Sequence, residues 1–228
     1  MSGIGLLNEK PLHASLKQWC ARPGDRFEVA VAGFVIDIVR DDLLIEIQTG
    51  NFASIKPKLT NLVRSHPVRL IYPIAQEKWI VRPATDDHGR VLRRKSPKRG
   101  RLEDLFWELV SIPHLLSNRN FSLEVLMTKE EEARRLEGRR RWRRRGWALE
   151  ERRLLEVVDR RLFKESADWR GFLPEGLESF TSSDLATARD TSRVLAQKMA
   201  YCLQKGKVIE LIGKQGRAKL YRVPAQPG

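Results

Sequence analysis

Three polar side chains that could hold a metal ion or a phosphate lie close together in residues 34–50, FVIDIVRDDLLIEIQTG: Asp37, Glu46 and Gln48. Two apolar runs rich in β-branched residues flank Asp41 and Asp42, a pattern that predicts two strands joined by a tight turn. With a two-residue turn, the predicted partners are Val39 with Leu44, Ile38 with Ile45, and Asp37 with Glu46. The hairpin therefore places two carboxylates side by side.

Two carboxylates on facing strand positions repel each other, by up to about 1 kcal/mol, unless a cation lies between them. A divalent metal ion is one such cation. Gln48 is two residues beyond Glu46 and shares its face of the strand, whereas Ile45 and Ile47 point to the other face, where they can join a core. The sequence thus predicts a polar ridge of Asp37, Glu46 and Gln48.

The order Asp37, eight residues, then Glu46-Ile47-Gln48, followed by a helical segment and the strand PVRLIYPIA, resembles the PD-(D/E)xK nuclease superfamily. This resemblance implies a restriction-endonuclease-like fold in which Asp37, Glu46 and the carbonyl of Ile47 hold Mg²⁺ or Mn²⁺. Gln48 stands where the family usually has lysine, and an amide positions a water but adds no positive charge. Glu9 occupies about the place of an acidic residue in the family's first helix; alternatively, it is a solvated acid near a helix start.

The composition indicates a polyanionic partner. The formal net charge is +14 and the sequence pI is near 10.2. Binding a polyanion releases condensed counterions, so DNA is the expected partner, and RNA stays open because charge does not distinguish the two. A membrane surface is the rival, but no apolar run is long enough to span a bilayer. We therefore predict no membrane partner.

Cysteine usage and the N-terminal sequence predict a cytoplasmic protein. Cys20 and Cys202 lie far apart without metal-ligand spacing, which favours two reduced thiols. MSGIGLLNEK lacks the charged start and apolar core of a signal peptide. The oligomeric state is left open; a homodimer is one option, since nucleases that cut both strands commonly act as dimers.

Around the hairpin, the periodicity predicts a mixed α/β sheet flanked by helices. A first helix is expected from Pro11 to Ala21, a strand over 27–35 interrupted by Gly33, and a helix beginning near Ser54. Further strands follow at 68–75, 76–81 and 121–127, with a helix at 102–109 ended by Pro113. A capping-box pattern over 128–131 predicts the start of a charged helical segment.

Basic residues follow the hairpin in three segments, and we expect them to contact nucleic acid; ordinary solvated surfaces are the alternative. The first lies on the helix after the hairpin, the second in the Pro- and Gly-containing loop 82–101, and the third in the arginine-rich run near residue 140. The predicted contacts are Lys56, Lys58, Arg93, Arg94, Lys95, Arg140, Arg141, Arg143 and Arg144.

A second domain is predicted after the arginine-rich run. Apolar residues between 149 and 162 suggest a helix, and the segment from 180 to 223 resembles a winged helix-turn-helix domain in its order of elements. Thr181 or Ser182 caps a short helix, a longer helix covers 192–204, and two strands surround a turn at 214–217. The resemblance implies contacts from the second helix and the wing: Thr191, Ser192, Arg193, Gln197, Lys198, Lys214, Gln215, Arg217 and Lys219.

The predicted organisation is a nuclease-like α/β domain at 1–130, an arginine-rich linker at 131–147 and a winged-helix α+β domain at 148–228. The leading hypothesis is a metal-dependent DNA nuclease. The alternatives are a DNA-binding regulator that keeps the fold without turnover and an RNA-processing factor.

Overall fold

A computed structural model of the protein describes residues 10–82, 91–136 and 147–224. The helices in these ranges are α1 (Pro11–Cys20), α2 (Phe52–Leu62), α3 (Phe106–Leu109), α4 (Ser166–Trp169), α5 (Ser182–Ala188) and α6 (Arg193–Lys205). The strands are β1 (Arg26–Val31), β2 (Phe34–Arg40), β3 (Leu43–Ile47), β4 (Val68–Arg82), β5 (Leu92–Lys95), β6 (Phe121–Leu136), β7 (Trp147–Phe163), β8 (Phe180–Thr181), β9 (Glu210–Gln215) and β10 (Ala218–Arg222). Short 3₁₀ turns cover Leu102–Leu105, Pro113–Ser117 and Arg170–Phe172.

Seven of the described strands form one mixed sheet in the order β1-β2-β3-β4-β6-β7, and β5 pairs with the end of β4. β4 lies parallel to both β3 and β6, while the outer pairs are antiparallel. The predicted mixed α/β sheet flanked by helices is therefore confirmed.

Helices cover both faces of this sheet because its central strands carry apolar side chains on both sides. On one face, Leu12 and Leu16 of α1 pack against Ile45, Ile71 and Leu126. On the other, α2, α3 and α6 share a larger core with β4 and β6. The first helix is confirmed, with α1 beginning at Pro11, as expected for a proline in a first turn. α2 begins at Phe52, two residues before the predicted start, so Pro57 lies inside the helix.

The C-terminal elements are α5, α6 and a small sheet of the described strands β8, β10 and β9 in that order. The Thr181 hydroxyl accepts hydrogen bonds from the backbone N–H groups of Ser183 and Asp184, so the predicted cap of α5 is confirmed. Ser192 caps α6, and β9 and β10 form the predicted hairpin. α6 packs against α3 and the 3₁₀ turns Leu102–Leu105 and Pro113–Ser117, and its Leu195, Met199 and Leu203 are buried in the larger core.

The helix predicted over residues 149–162 is wrong. This segment is β7, which pairs antiparallel with β6 along most of its length. The pairing register shifts three times, leaving Val158, Leu155 and Glu150 without a partner residue on β6. Each such bulge reverses which face the following residues occupy, so apolar residues recur at helix-like intervals although the backbone is extended.

The neighbouring boundaries also differ from the predictions. The predicted domain boundary at residue 148 falls inside β7, and residues 131–136 of the predicted linker belong to β6. The helix start predicted at 128–131 is also wrong, because these residues belong to β6, where Thr128 and Glu130 are buried. Part of the predicted basic loop 82–101 is strand β5.

The strand predicted over 27–35 is two strands, because Ala32 and Gly33 form a turn with φ values of 50° and 81°. Of the helices in the described ranges, none has the length and apolar character needed to cross a membrane.

Candidate active site at the carboxylate pair

The β2–β3 hairpin brings Asp37 and Glu46 together in the predicted register. Ile38 pairs with Ile45 and Val39 with Leu44, as predicted, and the ladder ends at Ile38 and Ile45. Asp37 and Glu46 follow this last pair, and they lie near enough for the charge of Asp37 to act on Glu46. The Asp37 Oδ2 atom accepts a hydrogen bond of 2.8 Å from the backbone N–H of Ile47, so this carboxylate is fixed to the neighbouring strand.

Two helices on opposite faces of the sheet complete the cluster. From α1, His13 Nε2 lies 3.2 Å from Asp37 Oδ2. From α2, Lys58 Nζ lies 2.6 Å from Glu46 Oε1 and donates a hydrogen bond to the carbonyl of Val35 at 2.5 Å. Lys58 therefore contacts the carboxylate pair, whereas the sequence suggested only an outward contact with phosphate.

The four side chains are largely withdrawn from solvent. The exposed fraction is 7% for Glu46, 14% for Asp37, 19% for Lys58 and 21% for His13. Charges in such surroundings interact more strongly than on an open surface, so each carboxylate depends on its cationic or hydrogen-bonding partner.

This environment separates the proton affinities of the two acids. Burial, followed by the charge of Asp37, raises the pKa of Glu46 to about 7, against the smaller opposing effect of Lys58. Burial also acts to raise the pKa of Asp37, but the hydrogen bond and charge of His13 outweigh it, and the net pKa is lowered. Asp37 is therefore the ionised partner, and Glu46 changes its protonation near neutral pH, a separation typical of functional carboxylate pairs.

Gln48 follows Glu46 by two residues, but its amide serves the turn that ends β3. Its side-chain nitrogen donates to the carbonyl of Gly50 and, at 3.4 Å, to that of Asn51. The predicted role of Gln48 in orienting a water thus competes with these bonds. Glu9, the other predicted acid, lies outside the described residues.

The carboxylate pair fits a hard divalent cation in its donor chemistry. Burial and the neighbouring charge that raise the pKa of Glu46 disfavour two anions here, and a cation between them would relieve this. Within the described ranges, no group of three or more His, Cys, Asp or Glu side chains could hold a metal ion. Mg²⁺ is nevertheless often held by one or two carboxylates with waters and substrate phosphates. Asp37 and Glu46 would be its protein ligands, and the Ile47 carbonyl stays a predicted third.

The predicted nucleic-acid contacts separate into distinct places. Lys56, Arg93, Arg94 and Lys95 are all exposed. Arg93 and Lys95 also flank the ring of Trp79 and pair with Glu131 and Glu77. The arginine-rich residues Arg140, Arg141, Arg143 and Arg144 lie outside the described residues.

In the C-terminal elements, the exposed contacts line a groove between α6 and the β9–β10 hairpin. Arg193, Gln197, Arg217 and Lys219 line this groove, together with Tyr201, which the sequence analysis did not single out. Lys214 and Gln215 are exposed at the end of β9, and Thr191 is half-buried. Two predicted contacts are engaged within the protein: the Ser192 hydroxyl accepts from Leu195 N–H, and Lys198 Nζ lies 5.3 Å from the ring centre of Trp107.

His13 was missed by the sequence analysis, since a histidine within a helical pattern carries no signal of the strand residue it will face. Lys58 was identified as a cation near the site, but its spacing from Glu46 did not show that the two would meet. Tyr201 could have been found from its position two turns after Arg193 on α6, since i, i+4 and i+8 share a helix face.

The protein is a mixed α/β protein in which two nearly buried carboxylates are paired with a histidine and a lysine. The chain belongs to the family of a domain of unknown function, DUF8091, whose model matches residues 10–164. The match ends one residue after β7, so it covers the large sheet. An uncharacterized protein of Treponema pallidum (strain Nichols) is 28% identical over 221 residues, covering 96% of this chain and 87% of the relative. No solved structure matches the chain.

The raised pKa of Glu46 predicts a pH-dependent effect of Glu46→Gln on stability. The folded protein holds the Glu46 proton up to about pH 7, whereas the unfolded chain releases it near the ordinary value of 4.5. The stability that protonated Glu46 contributes is therefore fully present below about pH 4.5, and it is lost as the pH rises through about 7. Because glutamine does not ionise, the free energy of unfolding of Glu46→Gln relative to wild type should increase across this window, by about 1.4 kcal/mol per unit of pKa difference.

Urea denaturation in metal-free buffer at several pH values measures this difference. Gln48→Ala is the matched control, because it changes a neighbouring residue without removing an ionisable group, and its difference from wild type should not vary with pH. If the difference in unfolding free energy between Glu46→Gln and wild type also does not vary with pH, the raised pKa of Glu46 is contradicted.

Proposed function

We propose that the protein is a metal-dependent nuclease that hydrolyses phosphodiester bonds in DNA, with the carboxylate pair as its active site and the C-terminal elements as its DNA-binding part. The observation that carries this proposal is the meeting of Asp37, Glu46 and Lys58 at one end of the hairpin. Two acids and one ammonium group are the side chains that a PD-(D/E)xK nuclease needs. Here the lysine comes from α2, and Gln48 takes the usual lysine position.

Each residue has a distinct part in the proposed reaction. Asp37 and Glu46 hold Mg²⁺ or Mn²⁺, and His13 keeps Asp37 ionised and oriented. When bound, the cation polarises the phosphate and lowers the pKa of an attacking water. Lys58 pairs with Glu46 in the structure; with a cation held at that carboxylate, its ammonium group would be available to stabilise the negative charge that develops on the phosphate oxygens.

Mutagenesis of the pair and of Lys58 tests this assignment. With labelled duplex, single-stranded and branched DNA plus Mg²⁺ or Mn²⁺, Asp37→Ala and Glu46→Ala should lose at least about 100-fold in cleavage rate, and Lys58→Ala should lose about as much. Lys205→Ala is the matched control: it removes the same charge from an exposed helix position outside the carboxylate pair and the groove, and it should leave the rate within about twofold.

A second candidate function is a DNA-binding regulator without turnover. It is favoured by the low exposure of both carboxylates and by their engagement with His13 and Lys58. The two functions predict different outcomes in the same assay. If the wild-type protein binds DNA but cleaves none of the three substrates with either metal, the nuclease proposal fails and the regulator stands.

The proposed DNA-binding surface is the groove between α6 and the β9–β10 hairpin, which has the element order of a winged helix. Arg193, Gln197 and Tyr201 lie one turn apart on α6, so they face the same side. Arg217 and Lys219 stand across the groove on the hairpin turn and β10. In a winged helix these are the positions that meet the major groove and the phosphate backbone, and the net charge of +14 supports a polyanionic ligand.

The salt dependence of DNA binding tests this surface. Arg193→Gln with Lys219→Gln should weaken duplex binding and reduce the slope of log affinity against log salt by about 1.8, because each lost phosphate contact contributes about 0.9. Lys164→Gln with Lys205→Gln removes the same charge from exposed positions outside the groove and should change the slope little. Equal slopes for the two double variants would show that the groove does not contact DNA.

A further inference from the structure

A cleft of about 590 Å³ lies beside the carboxylate pair and has no assigned role. Its walls are the start of α1 (Lys10–Leu12), the turn after β3 (Gln48–Asn51, with Ser54) and a segment of β7 (Leu149–Arg152). Asp37, Glu46, His13 and Lys58 are not among its lining residues; the cleft is connected to the site through Gln48, which lies two residues beyond Glu46 in the chain. Its volume falls within the range of about 300–1,000 Å³ that is common for sites binding small molecules.

Buried hydrogen bonds hold two walls of the cleft in place. Arg152 pairs with Glu130, which is fully buried, through Nε at 2.9 Å and Nη2 at 2.7 Å. The Nη1 atom of Arg152 donates to the carbonyl of Thr49 at 3.3 Å, which joins β7 to the turn after β3. The Thr128 hydroxyl completes the network by donating to Glu130 at 2.7 Å. These hydrogen bonds therefore fix the two walls of the cleft relative to each other.

The lining of the cleft suits a flat ring with polar edges. Pro11 and Leu149 provide apolar surface, and Leu149 keeps 55% of its surface exposed although it is a large aliphatic side chain. Leu12 is only 2% exposed and belongs to the core behind this wall. Asn51 is exposed at the rim and offers amide donors and acceptors. Lys10 adds a positive charge, and Glu150 and Glu151 add carboxylates that can accept hydrogen bonds from the N–H groups of a base edge. Apolar walls with a few polar groups are typical of pockets that take a nucleobase out of a stack.

The access to the carboxylates favours a flexible substrate. Glu46 and Asp37 are only 7% and 14% exposed, so a scissile phosphate must come into a recess to reach them. In a duplex each phosphate is carried on a stiff, convex surface, whereas the backbone of a single strand bends freely and can enter a recess.

From these observations we propose that the cleft binds an unpaired nucleotide next to the cleavage position, and that the substrate of the site is single-stranded nucleic acid or a single-stranded region. This inference rests on the proposed nuclease function for its link to cleavage. The binding of an unpaired nucleotide in the cleft does not depend on turnover and is tested separately.

The test fills the cleft and measures binding without metal. Leu149→Trp places a larger ring in the cleft, and Leu162→Trp is the matched control, because Leu162 is an exposed leucine near the other end of the same strand. Fluorescence anisotropy in EDTA measures the affinity for labelled oligodeoxythymidine, for oligouridine and for a duplex. We expect Leu149→Trp to weaken binding of the single strands about tenfold, the effect of losing one stacked base, with duplex binding unchanged. Leu162→Trp should bind all three ligands as wild type does.

A second variant guards against misfolding. Leu149→Asp changes an exposed position, adds no bulk and places a negative charge against the incoming phosphate, so it should weaken single-strand binding as well, with an unchanged melting temperature. Single-strand binding that stays at the wild-type level in both Leu149 variants, or that falls equally in Leu162→Trp, overturns the inference.

The two proposals fail in distinguishable ways. If the Leu149 variants lose single-strand affinity while wild type cleaves nothing, the cleft stands as a binding site and the nuclease proposal fails. If wild type cleaves duplex and single strands equally fast and Leu149→Trp cleaves both at the same rate, the nuclease proposal stands and the cleft has no part in substrate choice.

Discussion

The site depends on one constraint: two neighbouring carboxylates, Asp37 and Glu46, are nearly buried in a β-hairpin. The hairpin brings Asp37 and Glu46 close together just beyond its last backbone pair, and repulsion in such surroundings is costly unless cations or donors compensate. The compensation comes from opposite faces of the sheet, with His13 on α1 and Lys58 on α2. Both helices must therefore dock correctly for the pair to be tolerated.

The C-terminal elements are attached to the sheet by a second ionic cluster and by a shared core. Glu103 is 3% exposed and accepts hydrogen bonds from Arg189 Nε at 3.0 Å and Nη2 at 2.7 Å. Arg101 donates to the carbonyls of Arg189 and Asp190 in the turn between α5 and α6. Since the turn is fixed at both sides, α6 and the β9–β10 hairpin have a defined position relative to the carboxylate pair.

Local patterns made part of this structure predictable. The hairpin register followed from period-two alternation around a two-residue turn, and the start of α5 followed from the Thr181 cap. Long-range packing was not predictable, because no local signal shows that His13 and Lys58 will meet strand residues far away in sequence. β7 was mistaken for a helix because bulges at Glu150, Leu155 and Val158 stretch its apolar spacing. That error also moved the predicted domain boundary into the large sheet.

Whether Asp37 and Glu46 bind a divalent cation together is the central question, and anomalous diffraction from crystals soaked in Mn²⁺ answers it most directly. We predict a manganese peak between the two carboxylates, with oxygen ligands at about 2.1 Å and the Lys58 ammonium group displaced from Glu46. Crystals that show Lys58 still paired with Glu46 and no peak at this position, at a Mn²⁺ concentration that supports cleavage or saturates binding, would contradict it.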